Sequence, residues 1–295
     1  MADTVEMQDI RGLDIDKTVK GFALAEYIFK NVCTISNTSA DHIRWYQETA
    51  ADLTATSPQK NANISPLSTF PTLEVSWTRQ TSYIKKYANE GFISMEDMKS
   101  SDIDVVARTL LRLTRAVVKQ VDTRIWEVMT ESGTAEASKN INYVTSISGA
   151  WVNTTSADPI ADIMQAKRKI WEDNYNPEGA TLFLSPTGHE YLLRYLVSTK
   201  GSSIPNYSSE KVRDGTVMNI LGVKVKVSNN ATYSASGAAV LVVPQRACTW
   251  KSHTPITARA IEEPGIGTRF RVWELGEAIL TDPKAVCWIA PIDNA

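Results

Sequence analysis

One stretch, residues 94–132, limits the fold more than any other. From Ile103 the apolar residues recur at Val106, Leu110, Leu113, Val117, Val121, Ile125 and Val128, and Ala107, Thr114 and Val118 widen the stripe. That three-and-four spacing belongs to one buried helix face. Arg108, Arg112, Arg115, Lys119, Asp122 and Arg124 fall largely off the stripe. Neither Gly nor Pro occurs between Phe92 and Gly133, so nothing in the chain forces a break. Ser94 with Asp97, and Ser101 with Asp104, have capping-box spacing, which predicts a short helical turn leading into a long helix. From Asp102 to Thr130 such a helix would run about 43 Å, at about 1.5 Å per residue. It reads as a strut.

The other segments attach to that strut. Residues 1–40 are polar apart from one apolar patch, Phe22 to Phe29, and read as an arm that packs on something else, another copy of the chain included. His42 to Thr49 is strand-like, and a second run, Thr72 to Thr78, continues through Tyr83 to Ala88. The two are expected to pair as a long antiparallel hairpin around a polar tip containing Pro58 and Pro66. A two-stranded hairpin is marginal alone in water, so it calls for a partner surface. After a looser region from Gly133, Asp158-Pro159 opens a helix from Ile160 to Tyr175, with Ile163, Ala166, Ile170 and Trp171 turned inward. Ala180 to Leu184 reads as a buried strand, and Ser185-Pro186-Thr187 starts a helix from Gly188 to Val197.

A polar loop, Gly201 to Asp214, comes next, then the alternating strand Ile220 to Val227 and a central strand from Ala238 to Pro244. Alternation returns in Ile256 to Ala260 and Thr268 to Glu274, and Ala285 to Ile289 closes the chain. The alternating strands from Pro255 to Trp273 are the candidate cover for the apolar face of the long helix. The fold class is mixed α+β, with one compact part around residues 150–250 and an extended part on the long helix.

Composition narrows the function. The 295 residues are 43% hydrophobic and 22% charged, with 31 basic against 33 acidic side chains. That is an ordinary folded composition, and no Lys/Arg cluster marks a sequence-specific nucleic-acid face. Cys33, Cys248 and Cys287 are odd in number and far apart, which fits synthesis in a reducing compartment. The start has no signal-peptide pattern, and the longest apolar run, Ala238 to Val243, is too short to cross a bilayer. A soluble, cytosolically made protein is expected.

Chemistry-bearing motifs are weak. His189-Glu190 lacks a second His at zinc spacing, and His42 and His253 have no neighbouring Cys or His ligand. Cys248 has no visible base beside it, so a buried structural thiol is expected. Gly265-Ile266-Gly267 lacks the third glycine and the helix of a dinucleotide loop, and a hairpin turn accounts for it. The pairs Glu262-Glu263 and Glu96-Asp97 sit at a turn and a helix start. No catalytic, cofactor-binding or metal-binding residue is expected, and no cofactor.

Taken in order, the segments resemble the major capsid protein of tailed double-stranded DNA viruses, with the Hong Kong 97-type fold. Phe92 to Asp104, with Ile93-Ser94, the acidic pair Glu96-Asp97, Ser101 and Ile103-Asp104, is similar to that family's lead-in to its spine helix. Leu221-Gly222-Val223-Lys224-Val225 resembles its "leucine, glycine, then valines" strand, and Asp282-Pro283-Lys284-Ala285-Val286 its closing strand. The resemblance implies an N-terminal arm over 1–40, an extended hairpin loop over 41–92 and a peripheral domain with the spine helix over 93–149. It implies an axial domain over 150–254, peripheral strands over 255–274 and a return strand to the axial domain over 275–295.

The resemblance also implies a function. Copies of the chain would gather as pentamers and hexamers into an icosahedral shell around double-stranded DNA, held non-specifically. Portal and scaffolding proteins, and a decoration protein, would be further partners, with no membrane. The product would be a virion component assembled in the host cytoplasm. The arm begins almost at once, so scaffolding is expected as a separate protein or not at all, with a processed product the third reading and the least favoured because of Met1. Some members join subunits through a Lys–Asn cross-link promoted by a Glu. Lys60 sits in the hairpin tip here, yet no Asn or Glu matches by motif, and that chemistry is not expected. Lys60, Arg108, Arg112, Arg115 and Lys119 are candidate contacts between subunits or with the shell interior, against the plainer reading of a solvated face. An encapsulin-type nanocompartment shell is the nearest alternative, and a soluble enzyme with a distributed site the more distant one.

Overall fold

The long helix forms, and it starts where a side chain can cap it. In this computed structural model, which describes residues 15–23, 26–48, 65–67, 77–100, 104–130, 141–145, 150–153, 157–199, 219–233, 236–290 and 292, helices occupy residues 15–23 (α1), Met95–Ser100 (α2) and Val105–Thr130 (α3). The Ser94 hydroxyl accepts from Asp97 N at 3.1 Å, closing the first turn of α2. Asp104 accepts from Ala107 N at 2.9 Å and so begins α3 at Val105, three residues later than the pattern predicted. The Ser101 cap, the hairpin tip with Lys60, the start of the second strand run at Thr72 and the polar loop 201–214 lie outside the described residues.

The chain folds as two compact units. One comprises Met1–Ile43, Ser82–Glu127 and Thr249–Ile279, and the other Arg44–Thr81, Val128–Cys248 and Leu280–Ala295. In the first, four strands stand in the order β1 (Thr34–Asn37), β12 (Cys248–Glu263), β13 (Gly267–Leu280), β4 (Lys85–Ser94). β1 runs parallel to β12, and β4 runs antiparallel to β13 from Ser94 opposite Gly267 to Lys85 opposite Gly276. The second strand run is therefore divided at Ile84. Its first part, β3 (Trp77–Tyr83), pairs with β2 (His42–Glu48), as expected of the hairpin, whereas β4 leaves to pair with β13.

Helix α3 lies against this sheet. A Cβ added to Gly91 of β4 would sit 3.1 Å from both Leu113 and Thr109, so glycine is what lets strand and helix approach. The buried face centres on Leu110, Thr114, Val117, Val118, Val121, Ile125 and Trp126. Each large aliphatic side chain buried there contributes about 1.5–3 kcal/mol. Asp122, placed off the stripe by its polarity, is buried within it at 2% exposure. The expected arm also finds a place in its own chain. Phe29 is fully buried, with its ring centroid 5.2 Å from that of Trp126, and β1 joins the sheet edge.

The second unit is built on a six-stranded sheet, in the order β5 (Asn142–Thr145), β14 (Val286–Ala290), β11 (Ala239–Val242), β6 (Thr181–Leu184), β8 (Val223–Val227), β7 (Asn219–Ile220). Two short strands, β9 (Thr232–Tyr233) and β10 (Ser236–Gly237), pair with each other between β8 and β11 in the chain. β6 and β11 are buried at every residue, which is why both read as unbroken apolar runs. Helices α4 (Pro159–Glu172) and α5 (Pro186–Arg194) pack Ile163, Ala166, Ile170 and Leu192 into one core with Leu182, Leu184, Leu241 and Ile289. Asp158 and Ser185 cap them, accepting from Ala161 N at 3.1 Å and Gly188 N at 3.0 Å. Trp171, expected inside, is 52% exposed, with the Lys167 ammonium 5.3 Å from its ring. Between β7 and β8 a two-residue turn places Leu221 (φ 51°) and Gly222 (φ 75°) in left-handed backbone, the geometry of a type I′ hairpin. No helix among the described residues is long and apolar enough to cross a membrane.

Candidate functional site

The chemistry-bearing residues singled out in the sequence lie apart from one another or are buried. No group of three or more His, Cys, Asp or Glu could hold a metal ion there. His189 is half-buried, and burial lowers its pKa. The His42 ring meets Tyr83 edge-on at 4.7 Å, and His253 Nδ1 lies 3.1 Å from Thr254 Oγ1. All three cysteines are buried thiols, and burial pushes Cys287 up to about 12, which keeps it from acting as a thiolate. Glu263 to Gly267 is the expected turn between β12 and β13, closed by Ile266 N donating to Glu263 O at 3.0 Å.

The basic residues of α3 form one narrow face. Arg108, Arg112, Arg115 and Lys119 are all exposed, and at 3.6 residues per turn they share a sector of about 60° over about 17 Å of helix. Arg115 is drawn to Glu26, with Nε 2.8 Å from its carboxylate. Lys60 cannot be placed relative to them, lying outside the described residues.

The same unit holds a set of buried polar groups that sequence reasoning missed. Asp122 accepts from the backbone N–H of Ile28 at 2.8 Å and of Lys30 at 3.3 Å, at the start of the short 3-10 turn Lys30–Val32. Burial is the largest influence on its carboxyl and raises its pKa to about 6, against the lowering effect of those N–H groups and of Lys30. Glu274 is fully buried and takes the Tyr27 hydroxyl on one oxygen and the Lys30 ammonium on the other. The ammonium also lies 4.2 Å from the Tyr27 ring and 5.4 Å from that of Trp250. Further along the same strand, the fully buried Glu277 pairs with Arg124, whose Nε donates at 3.0 Å. A signal for Glu274 was present, because it shares the buried parity of Thr268, Phe270 and Val272 along β13.

The elements match shell proteins. A virus-like particle from Pyrococcus furiosus superposes with TM-score 0.63 at 10% identity, over 95% of this chain and 99% of that one. The capsid of the cyanophage P-SCSP1u gives TM-score 0.64 at 12% identity, over 89% of this chain and 87% of its own. A structure from Mycobacterium phage Bobi gives 0.61 at 15% identity, over 93% and 91%. Comparison with curated proteins gives no match. The sequence profile of the phage capsid protein family matches residues 78–289, from the hairpin strand β3 to the last strand of the six-stranded sheet. The chain belongs to the phage capsid protein family and has the Hong Kong 97-type fold of the major capsid proteins of tailed viruses.

Proposed function

We propose that the chain assembles as pentamers and hexamers into an icosahedral shell that encloses double-stranded DNA, in the host cytoplasm. The family match over residues 78–289 carries this reading. The architecture supports it. Tiling a closed surface requires one chain to make repeated, non-identical contacts, and a protein of two units offers several surfaces for them. Portal, scaffolding and decoration proteins would be the other partners, and the exposed side chains of Arg108, Arg112, Arg115 and Lys119, with Lys60, would face other copies or the interior. The structural role leaves no catalytic step to assign.

A shell around a protein cargo, of the encapsulin type, is the second reading. The likeness to a virus-like particle across 99% of that particle's subunit favours keeping it. Electron microscopy of the purified chain tests both. Shells, or rings of five and six, are expected, and a monomer under every assembly condition would overturn them. Nuclease-protected DNA inside particles from infected cells separates the genome shell from the cargo shell.

A further inference from the structure

Two thiols that lie far apart in the sequence become neighbours at the edge of the first sheet. β1 and β12 run parallel, with Thr34 opposite Thr249 and Ile35 opposite Trp250. The residues that lead into those pairs are Cys33 and Cys248. Cys33 has extended backbone (φ −78°, ψ 152°), and Cys248 is the first residue of β12, at the point where the chain enters the first unit. The parallel register therefore runs back one step and sets the two cysteines side by side. Neighbouring strands lie about 4.8 Å apart, inside the Cα separation of about 4.4–6.8 Å that a disulfide spans. Opposed residues of a parallel pair also carry their side chains to the same face of a sheet. Both side chains are turned from water, with Cys33 6% exposed and Cys248 2%. Both are thiols, and Cys33 Sγ donates to Phe29 O at 3.5 Å.

We propose that Cys33 and Cys248 form a latent disulfide, closed by a low-molecular-weight disulfide such as oxidised glutathione, that fastens the N-terminal arm to β12. β1 is the edge strand of its sheet, so fraying there uncovers Cys33 first. The Cys33 thiolate attacks one sulfur of the oxidant and expels the other half as a glutathione thiolate. The Cys248 thiolate then attacks the Cys33 sulfur of that mixed disulfide and expels the second glutathione. Two protein thiols are oxidised, one glutathione disulfide is reduced to two thiols, and the two protein thiol protons pass to them. A reducing cytoplasm keeps the pair open, so closure belongs to oxidising surroundings. That the chain reaches such surroundings rests on the shell reading, whereas the pairing of the cysteines does not. Once closed, the bond holds β1 covalently, in addition to its four-residue ladder with β12, and with it the turn Lys30–Val32 just before. The ring so closed takes in most of the chain, and long rings restrict an unfolded chain the most.

The test uses the purified full chain, incubated with oxidised glutathione at neutral pH and then alkylated in denaturant. Mass spectrometry is expected to find Cys287 alone alkylated and the peptides of Cys33 and Cys248 joined. Cys33→Ser and Cys248→Ser should each abolish the joined peptides, and Cys287→Ser should leave them as in wild type. In the closed protein, hydrogen exchange at the amides of Thr34–Asn37 should slow by about tenfold or more and recover on reduction. Alkylation of all three cysteines, or glutathione left on Cys33 with no bond to Cys248, overturns the proposal. So does a bond that forms only once urea is added, since the folded register would not be its cause. Unchanged exchange in the closed protein overturns it as well, because the bond would then fasten nothing. Shell formation is read separately by microscopy, so a wild-type chain that closes the bond yet builds no shells counts against the shell reading alone.

Discussion

The pairing of Lys30 with Glu274 should behave as a unit whose halves cannot be removed singly. The Glu274 side chain is fully buried and that of Lys30 is 12% exposed, so neither charge has water to fall back on. Glu274→Gln keeps the shape but takes from the ammonium its paired carboxylate, leaving it against the Tyr27 and Trp250 rings with the more distant Asp122. Lys30→Met keeps the stem and leaves a carboxylate with only the Tyr27 hydroxyl. Stranding one member of a buried pair costs about 3–5 kcal/mol, whereas replacing both by neutral groups of similar volume is often close to neutral. The double variant is therefore expected within about 1 kcal/mol of wild type, a coupling far beyond additivity. Urea unfolding of the unassembled chain, followed by tryptophan fluorescence, provides the measurement. With a urea dependence of about 1–3 kcal/mol/M, each single change should lower the midpoint by about 1 M or more. Single changes that leave the midpoint in place, or a double variant as damaged as the two singles together, would refute the reasoning.

Two further outcomes follow from packing and titration. A Cβ added at Gly276 would lie 2.4 Å from Trp250 Cζ2 and 2.9 Å from Lys251 O, and Trp250 is fully buried with no room to swing. Gly276→Ala should cost about 1–3 kcal/mol or more in the same urea assay, and an unchanged midpoint would show that the sheet gives way there. Asp122 is predicted to make the protein less stable as pH rises. Its folded pKa of about 6 stands above the ordinary 3.8, so between those values the folded state holds the proton more tightly than the unfolded one. Its contribution is full below pH 3.8 and lost as pH climbs through 6. The change amounts to about 3 kcal/mol, since each tenfold gain in proton affinity is worth about 1.36 kcal/mol. The stability of wild type relative to Asp122→Asn should fall by that amount from about pH 4 to about pH 7, and a flat difference would remove Asp122 as the cause.

What the chain made legible was whatever is encoded locally. The stripe through Leu110, Val117, Val121 and Ile125 and the caps at Ser94, Asp158 and Ser185 are short-range, and they appear close to where the pattern puts them. The apolar runs Thr181–Leu184 and Ala239–Val242 announce a doubly covered sheet without naming its neighbours. Partner choice was not legible. Nothing in Lys85–Ser94 distinguishes the continuation of a hairpin from the edge of a sheet closed by Gly267–Leu280, some 180 residues later. Asp122 was misread for a related reason. Its polarity argued for the surface, while the N–H groups it satisfies belong to residues 28–30, far away along the chain. Trp171 erred in the other direction, its size arguing for the core while it stands 52% exposed beside Lys167. Of the basic residues singled out, four share a helix face, and Lys60 lies outside the described residues.

The chain passes from one unit to the other at residues 43–44, 81–82, 127–128, 248–249 and 279–280. Neither unit is a continuous piece of sequence, and the inner strands of the first sheet, β12 and β13, are among the last parts to be made. On the ribosome, α3 and β4 must wait for more than a hundred residues before the inner strands of their sheet emerge. An interrupted product lacks the middle of one sheet, and strand β14 of the other is missing as well. The weaving of the chain thus ties both sheets to the end of synthesis: a copy stopped before β14 lacks a strand of the second sheet, and one stopped before β12 lacks the middle of the first as well.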